Sequence, residues 1–294
     1  MLTVAFITCN RKDQFAKAVV SCEQHIKNIQ WQLVVVDNHS TDGTKEWTEK
    51  HFQSNPSKLK YLYMEDNLGV AGARNVAYTE ADGDIVYFLD DDAIIDGYDD
   101  CLDRAYSYMQ KHREFALMGT DIYDHKINGP LNSIPQKGNS LKTGTHTIGF
   151  VGASHFINKS ILGDIVLYPS FIFYGGEEFY LSMTTYNKDF DCGFYDGYTV
   201  HHYPSMKTRL SDVEIKMSLY CNAYRVRAAL FPKEYKSLIK LFYYINIIRA
   251  FSFDIKIIKE CNRRIKSSDY DDNKISKRTI RRLVKLFGVI NVFK

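Results

Sequence analysis

The apolar run Ile85–Leu89 ends in three adjacent carboxylates, Asp90, Asp91 and Asp92. Like charges at that spacing repel, so three ionised side chains need a cation, basic groups or full solvation to offset them. A hard divalent ion such as Mg²⁺ or Mn²⁺ takes carboxylate oxygens, commonly one or two from the protein with waters and substrate phosphates beside them. An ion held there can offset charge building on a phosphate leaving group without moving a proton. A solvated acidic loop is the plainer reading of an isolated triplet. A second acidic group, Glu177 and Glu178, follows Gly175 and Gly176, and adjacent carboxylates tend to raise one another's pKa. In "NLGVAGARN" at 67–75, Gly69 and Gly72 stand where a loop enters a helix. Small residues allow close backbone approach there, and a helix start favours anions.

These residues need a scaffold that brings them together. Apolar, β-branched runs predict strands at Leu2–Thr8, Leu33–Asp37, Leu59–Met64, Ile85–Leu89 and Phe115–Asp121. Helical patterns fall between them, at Asp13–Gln24, Thr44–Gln53, Val70–Ala81 and Tyr98–Lys111. That alternation means βαβ units, an α/β class and a mostly parallel central sheet flanked by helices. In such sheets ligands bind beyond the carboxyl ends of the strands. Four polar clusters sit at those ends: "TCNR", Asp37, "EDN" and the aspartate triplet. Past residue 122 the rhythm stops. Residues 124–147 read as a long polar loop, functional or mobile. A strand in "GASHFIN", a helix opened by Gly175–Gly176, and a strand ending in His201 and His202 follow.

The 294 residues suit one large α/β domain with an appendage, and 45% hydrophobic content supports a sizeable core. Six scattered cysteines without a C-x-x-C pair argue against a zinc ribbon or a disulfide framework and favour a reducing compartment. The opening "MLTVAFITCN" lacks a basic n-region, so no signal peptide is expected, and "LFYYINII" is too short to span a bilayer. Charge is divided unevenly. Residues 1–205 carry 17 Lys/Arg and 27 Asp/Glu, whereas 206–294 carry 21 and 8, balances of −10 and +13. The tail would be drawn to an anionic partner.

"FITCNR" at 6–11, "LVVVDNHSTDGT" at 33–44, "NLGVAGARN" at 67–75, "FLDDDAII" at 88–95 and "FYGGEEFYLSM" at 173–183 together resemble the family-2 glycosyltransferases. These are inverting enzymes with the GT-A nucleotide-sugar fold. The likeness covers about residues 1–205, weakens over 124–147, and leaves only Tyr224, Arg227 and Pro232 as a loose match in the tail. It implies a catalytic domain over 1–205, with a nucleotide-binding part over 1–122 and an acceptor part over 123–205. Residues 206–294 would form a basic, mainly helical C-terminal extension. The resemblance places Thr8, Asn10, Arg11, Asp37, Asn67, Gly69, Arg74, Asp90 and Asp91 around the nucleotide, with Asp37 accepting the imide N–H of a uracil or thymine base. Asp90 and Asp92 would hold Mn²⁺ or Mg²⁺ in a D-x-D manner, with His201 as a further ligand. Glu178 would be the base that deprotonates the acceptor, with Glu177 as its neighbour. Simpler roles stand beside these: Asp37 as a turn former, Arg11 and Arg74 as surface arginines, His201 as a satisfied histidine, and the glutamates as favourable first-turn acids. Tyr180 and Thr184 depart from the family's usual acidic and basic residues, which touches acceptor recognition.

The resemblance implies transfer of one sugar from a UDP- or dTDP-linked donor to a saccharide, lipid-linked or protein acceptor, in surface polysaccharide or glycoconjugate synthesis. Q-x-x-R-W, the signature of processive synthases, is absent. A metal-dependent nucleotidyltransferase or phosphohydrolase would also use clustered carboxylates, but "TCNRKDQ" after the first strand has no glycine for a phosphate loop. No nucleic-acid partner is expected, and a homo-oligomer is compatible with the pattern. In the tail, Ile280, Leu283, Val284 and Phe287 recur at helical spacing among Lys277, Arg278, Arg281, Arg282 and Lys285. Such a helix can lie on an anionic membrane surface or pack on protein. The expectation is a cytoplasmic protein held peripherally on the inner face of the membrane, with 267–273 as a hinge.

Overall fold

A computed structural model describes residues 1–131, 133–204, 211–266 and 274–293. The chain opens with β1 (Leu2–Thr8), α1 (Lys12–Gln24), β2 (Trp31–Asp37), α2 (Thr44–His51), β3 (Leu59–Tyr63), α3 (Gly69–Glu80) and β4 (Ile85–Leu89). Strands β3, β2, β1 and β4 lie side by side and all parallel. They read as nearly continuous apolar runs because both faces are covered. Leu2, Val4 and Phe6 enter one core with Phe15, Ala18 and Val19 of α1. Ala5, Val34 and Val36 enter the other with Ala73, Ala77 and Tyr78 of α3. The split follows the two-residue period of a strand.

After β4 the chain turns sharply, with Ala93 N–H donating to the Asp90 carbonyl at 3.1 Å, and continues as β5 (Ala93–Asp96). No strand was expected there, since four residues behind an acidic triplet carry little pattern. Next come α4 (Cys101–Lys111), β6 (Phe115–Asp124), the short β7 (Gly129–Leu131), β8 (Ile134–Pro135) and β9 (Thr147–Ile148), then β10 (Ser154–Asn158), α5 (Lys159–Leu162), α6 (Glu177–Asn187) and β11 (Asp191–His202). β10 inserts antiparallel between β4 and β6, β11 runs parallel to β6, and β5 closes the far edge against β11. The segment 124–147, expected as loop, thus holds three short strands that extend and brace this half.

The C-terminal extension is helical as expected: α7 (Asp212–Leu230), α8 (Lys236–Phe251), α9 (Ile255–Lys266), α10 (Lys277–Phe287) and α11 (Val289–Phe293). The expected boundary at 205/206 and the hinge at 267–273 lie outside the described residues. One expectation is corrected for α10. Its apolar residues Ile280, Leu283 and Phe287 are buried in the same core as Leu181 and Met183 of α6, so this face covers protein rather than lipid. Arg282 pairs with Asp191 and Lys277 with Glu234, which orients the basic side. No helix among the described residues is long and apolar enough to cross a membrane.

Candidate active site

The carboxyl ends of β1 and β4, the entry to α3, residues 151–153, the start of α6, the end of β11 and the start of α7 surround a cleft of about 380 Å³. Among its lining residues are Thr8, Arg11, Asn67, Gly69, Arg74, all three aspartates, both glutamates and His202. Strand ends far apart in sequence converge here, which is what a parallel sheet with its crossovers behind it produces.

Each aspartate of the triplet meets a different balance of cations. Arg11 Nη1 donates to Asp91 Oδ1 at 2.7 Å and reaches Asp92 Oδ2 at 3.2 Å. His202 Nε2 stands 3.2 Å from Asp92 Oδ1, while its Nδ1 meets Asp124 Oδ2 at 2.8 Å. Arg74 Nη2 donates to Asp90 Oδ1 at 3.0 Å and to the Gly152 carbonyl at 2.8 Å. Basic side chains therefore offset the triplet's repulsion. Asp91 and Asp92 are buried, whereas the Asp90 side chain is 37% exposed to the cleft. Burial pushes Asp91 upward; Arg11 pulls against it and Asp92 adds to it, leaving it at about 7. On His202, burial opposes the charge, but the bond to Asp92, the nearby Asp90 and the bond to Asp124 raise it to about 9.

Asp90, Asp92 and His202 each offer one ligand atom, and these three atoms lie within 4.8 Å of one another. Two carboxylates with one imidazole suit Mn²⁺ better than Mg²⁺, because imidazole is a poorer ligand for the harder ion. Asp124 behind His202 is the kind of outer carboxylate that fixes a ligating ring. This corrects the expected histidine. His201 faces the other way on β11, with Nε2 3.4 Å from Asp96 and Nδ1 3.0 Å from His125 Nε2. From Thr199 onward β11 stays in register with β6, and His202 falls on the buried side with Tyr198 and Val200 while His201 falls on the other.

Glu177 and Glu178 form the first turn of α6, entered through Gly176 at φ +95°. The Glu177 side chain is 4% exposed, and Oε1 lies 3.6 Å from Arg74 Nη1. Its Oε2 has no hydrogen-bond partner among the described residues. Glu178 is half-buried and opens into the cleft. Desolvation first and the Glu177 charge second push its carboxyl well above the usual carboxylate range, with Arg74 opposing. Desolvation also raises Glu177, again opposed by Arg74. A Cβ on Gly152 would fall 2.6 Å from Glu178 Oε1 and 3.0 Å from Arg74 Nη1, so the absent side chain leaves the space these groups occupy. One guanidinium thus sits between the two acidic clusters.

Other expected residues brace the cleft, and of these Asn67, Gly69 and Thr8 also line it. Asp37 is fully buried: Oδ1 accepts from Ser40 N–H at 2.7 Å and Oδ2 from the Tyr61 hydroxyl. It is not among the residues that line the cleft. Asn10, at φ +54°, accepts from Thr41 N–H at 2.8 Å and braces the loop after β1 against the loop after β2. It too does not line the cleft. Asn67 caps α3 by accepting from Gly69 N–H at 2.8 Å. Gly69, at φ +70°, lies so close to Phe173 that a Cβ would fall 2.6 Å from that ring. Thr8 is buried at the end of β1 and lines the cleft. Sequence reasoning missed His202, Asp124, Gly152 and Asn38, which holds the α3 entry through Leu68 N–H and the Gly69 carbonyl. An acidic residue at the end of β6, the strand beside β11, was the available sign of Asp124.

Residues 3–166 match the family model described as "Glycosyl transferase family 2". The "Putative teichuronic acid biosynthesis glycosyltransferase TuaG" of Bacillus subtilis is 39% identical over 62 residues, 21% of this chain and 24% of that protein. "Poly(ribitol-phosphate) beta-N-acetylglucosaminyltransferase TarS" of Staphylococcus aureus is 34% identical over 115 residues, 39% of this chain and 18% of that protein. These matches span well under half of either relative. The structure of S. aureus TarS 1–349 in complex with UDP-GlcNAc aligns with a TM-score of 0.61 at 17% identity, over 99% of this chain and 89% of that one. GalNAc-T7 with UDP, GalNAc and Mn²⁺ aligns with a TM-score of 0.64 at 15% identity, over 89% and 54%. Both likenesses show the GT-A fold.

Proposed function

The chain belongs to glycosyl transferase family 2, and on that premise we propose that it moves one sugar from a nucleotide-diphosphate donor to an acceptor hydroxyl, inverting the anomeric carbon. The observation that carries this reading is the cleft itself. An Asp90–Asp92–His202 cluster and a glutamate with a raised pKa face one space, joined by Arg74. Glu178 takes the proton of the acceptor hydroxyl, since it opens into the cleft while Glu177 is committed to Arg74. A base is most effective with a pKa near the working pH, and burial moves Glu178 in that direction. Asp90, Asp92 and His202 would hold Mn²⁺ or Mg²⁺, which when bound offsets charge on the departing pyrophosphate. Arg11 fixes Asp91 and Asp92, and Arg74 holds Asp90 and Glu177 in place.

The donor is a UDP- or dTDP-sugar in this reading, in line with the UDP in the TarS and GalNAc-T7 structures. The acceptor is a saccharide, lipid-linked or protein hydroxyl in surface polysaccharide or glycoconjugate synthesis, in line with the names of TuaG and TarS. It is met on the inner face of the membrane. A panel of UDP- and dTDP-sugars, assayed for nucleotide release with and without saccharide acceptors, tests the reading. Inverted product by NMR and loss of turnover in EDTA are the expected results. A retained anomer, or full turnover in chelator, would remove it.

A further inference from the structure

The C-terminal helices carry a surface that sugar transfer does not use. Residues 236–266 hold eight Lys/Arg and two Asp/Glu, a balance of +6. α8 and α9 bury one side against α7, through Tyr243, Ile247, Phe251 and Cys261 with Met217 and Cys221. Other apolar residues stay outside: Leu241 is 55% exposed, Phe253 71% and Ile255 67%. Phe253 lies in the turn between the helices at φ +65°, a backbone region L-residues seldom use, with its large apolar side chain in solvent. On α9, Lys256, Lys259, Arg263 and Lys266 recur at helical spacing and are all exposed. An apolar turn beside a basic helical stripe is the pattern of a helix pair lying in a lipid interface.

The turn is also well placed. Phe251, just before it, packs on Tyr220 of α7 with ring centroids 6.1 Å apart. Leu219, the neighbour of Tyr220, lines the cleft and is 43% exposed; Phe173 lines it as well and is 54% exposed. The buried Phe251 thus joins the turn to α7, the helix that carries Leu219.

We propose that the α8–α9 turn docks the protein on an anionic phospholipid leaflet. Phe253 and Ile255 enter the acyl boundary while Lys256, Lys259, Arg263 and Lys266 meet the headgroups, and the cleft mouth is held near the lipid surface. A second copy of this chain is a poorer occupant, because it would set one +6 surface against another. The nature of an acceptor met there rests on the glycosyl-transfer reading; the docking does not.

The test is co-sedimentation of the full chain with vesicles of phosphatidylcholine, alone or mixed with phosphatidylglycerol, at low and high salt. Binding should require phosphatidylglycerol and weaken with salt. Phe253→Ser combined with Ile255→Ser, and separately Lys256→Glu combined with Lys259→Glu, should each lower partitioning by about tenfold or more. All four residues are exposed, so unchanged melting and unchanged nucleotide release from a soluble donor should accompany the loss. Equal binding by wild type and both variants, or binding indifferent to phosphatidylglycerol, overturns the docking. So does a shift from dimer to monomer in the variants by light scattering, which would make this face a self-interface. Loss of nucleotide release with vesicle binding intact would count against the transferase reading alone.

Discussion

The cleft contains two runs of adjacent carboxylates, and they are handled in opposite ways. Asp90–Asp92 are met by Arg11, Arg74 and His202, three basic groups for three acids. Among the described residues Glu177 and Glu178 share the far side of Arg74, and Glu178 has a raised pKa from burial and from its neighbour. Paired basic groups hold the aspartate oxygens in place around one point, even though burial raises Asp91 to about 7. A deficit of such groups keeps a carboxylate ready to accept a proton. The same residue chemistry thus supports an electrostatic role at one wall and an acid–base role at the other, according to how many cations are in reach.

The strongest way to break this comparison is to remove a metal-side oxygen. Asp92→Asn should lower turnover by about a thousandfold or more, the scale of losing a preorganised electrostatic contact. It leaves Arg11 with Asp91 and His202 with Asp124, so the fold should melt normally. Turnover within tenfold of wild type would mean that the triplet is structural. On the other wall, Glu178→Gln keeps the shape but cannot take a proton, and should lower transfer by about a hundredfold or more while donor affinity holds. If Glu177→Gln is instead the dead variant, the base is assigned one residue too late.

Glu177→Gln also sharpens the comparison. A base works deprotonated, so kcat/KM should rise with pH through the raised pKa of Glu178. Removing the neighbouring charge lowers that pKa, so the acidic limb should move to lower pH by about one unit. A limb that stays in place would show that burial alone sets it. The smallest expected effect concerns stability without metal. His202 is raised from 6.5 to about 9, so its contribution is full below pH 6.5 and is lost as pH rises through 9. In EDTA, stability should fall by about 2 kcal/mol over that window, and His202→Gln should flatten the slope. An unchanged slope in the variant would locate the dependence elsewhere.

Much of this was legible in the sequence because strand ends converge by topology. Once βαβ units are read, Thr8, Arg11 and Asp90–Asp92 share a rim without any knowledge of distance. The Gly175–Gly176 break correctly started the helix with Glu177 and Glu178 in its first turn. What stayed hidden depended on contacts that no local pattern encodes. Asp37 is at a strand end like the others, and Ser40 and Tyr61 donate to its two oxygens there. The choice between His201 and His202 turned on which face of β11 borders the cleft, and the alternation of Tyr198, Val200 and His202 was the available sign. For α10 the amphipathic pattern was real, but a pattern cannot say whether protein or lipid covers an apolar face.

That covering has a consequence for synthesis. Glu177 and Glu178 begin α6, and the other end of α6 is tied down by much later residues. Asn187 Oδ1 accepts from Ser276 N–H at 2.8 Å and from the Thr279 hydroxyl at 3.0 Å, 89 and 92 positions away. The Tyr186 ring meets Phe287 edge-on at 6.0 Å. While a ribosome is still making α7 to α10, the parallel half of the sheet can already close, because its contacts are mostly between near neighbours in the chain. The helix bearing the proposed base gains its far anchor only when α10 emerges, so the nascent chain acquires the wall built on β1 and β4 before the wall built on α6.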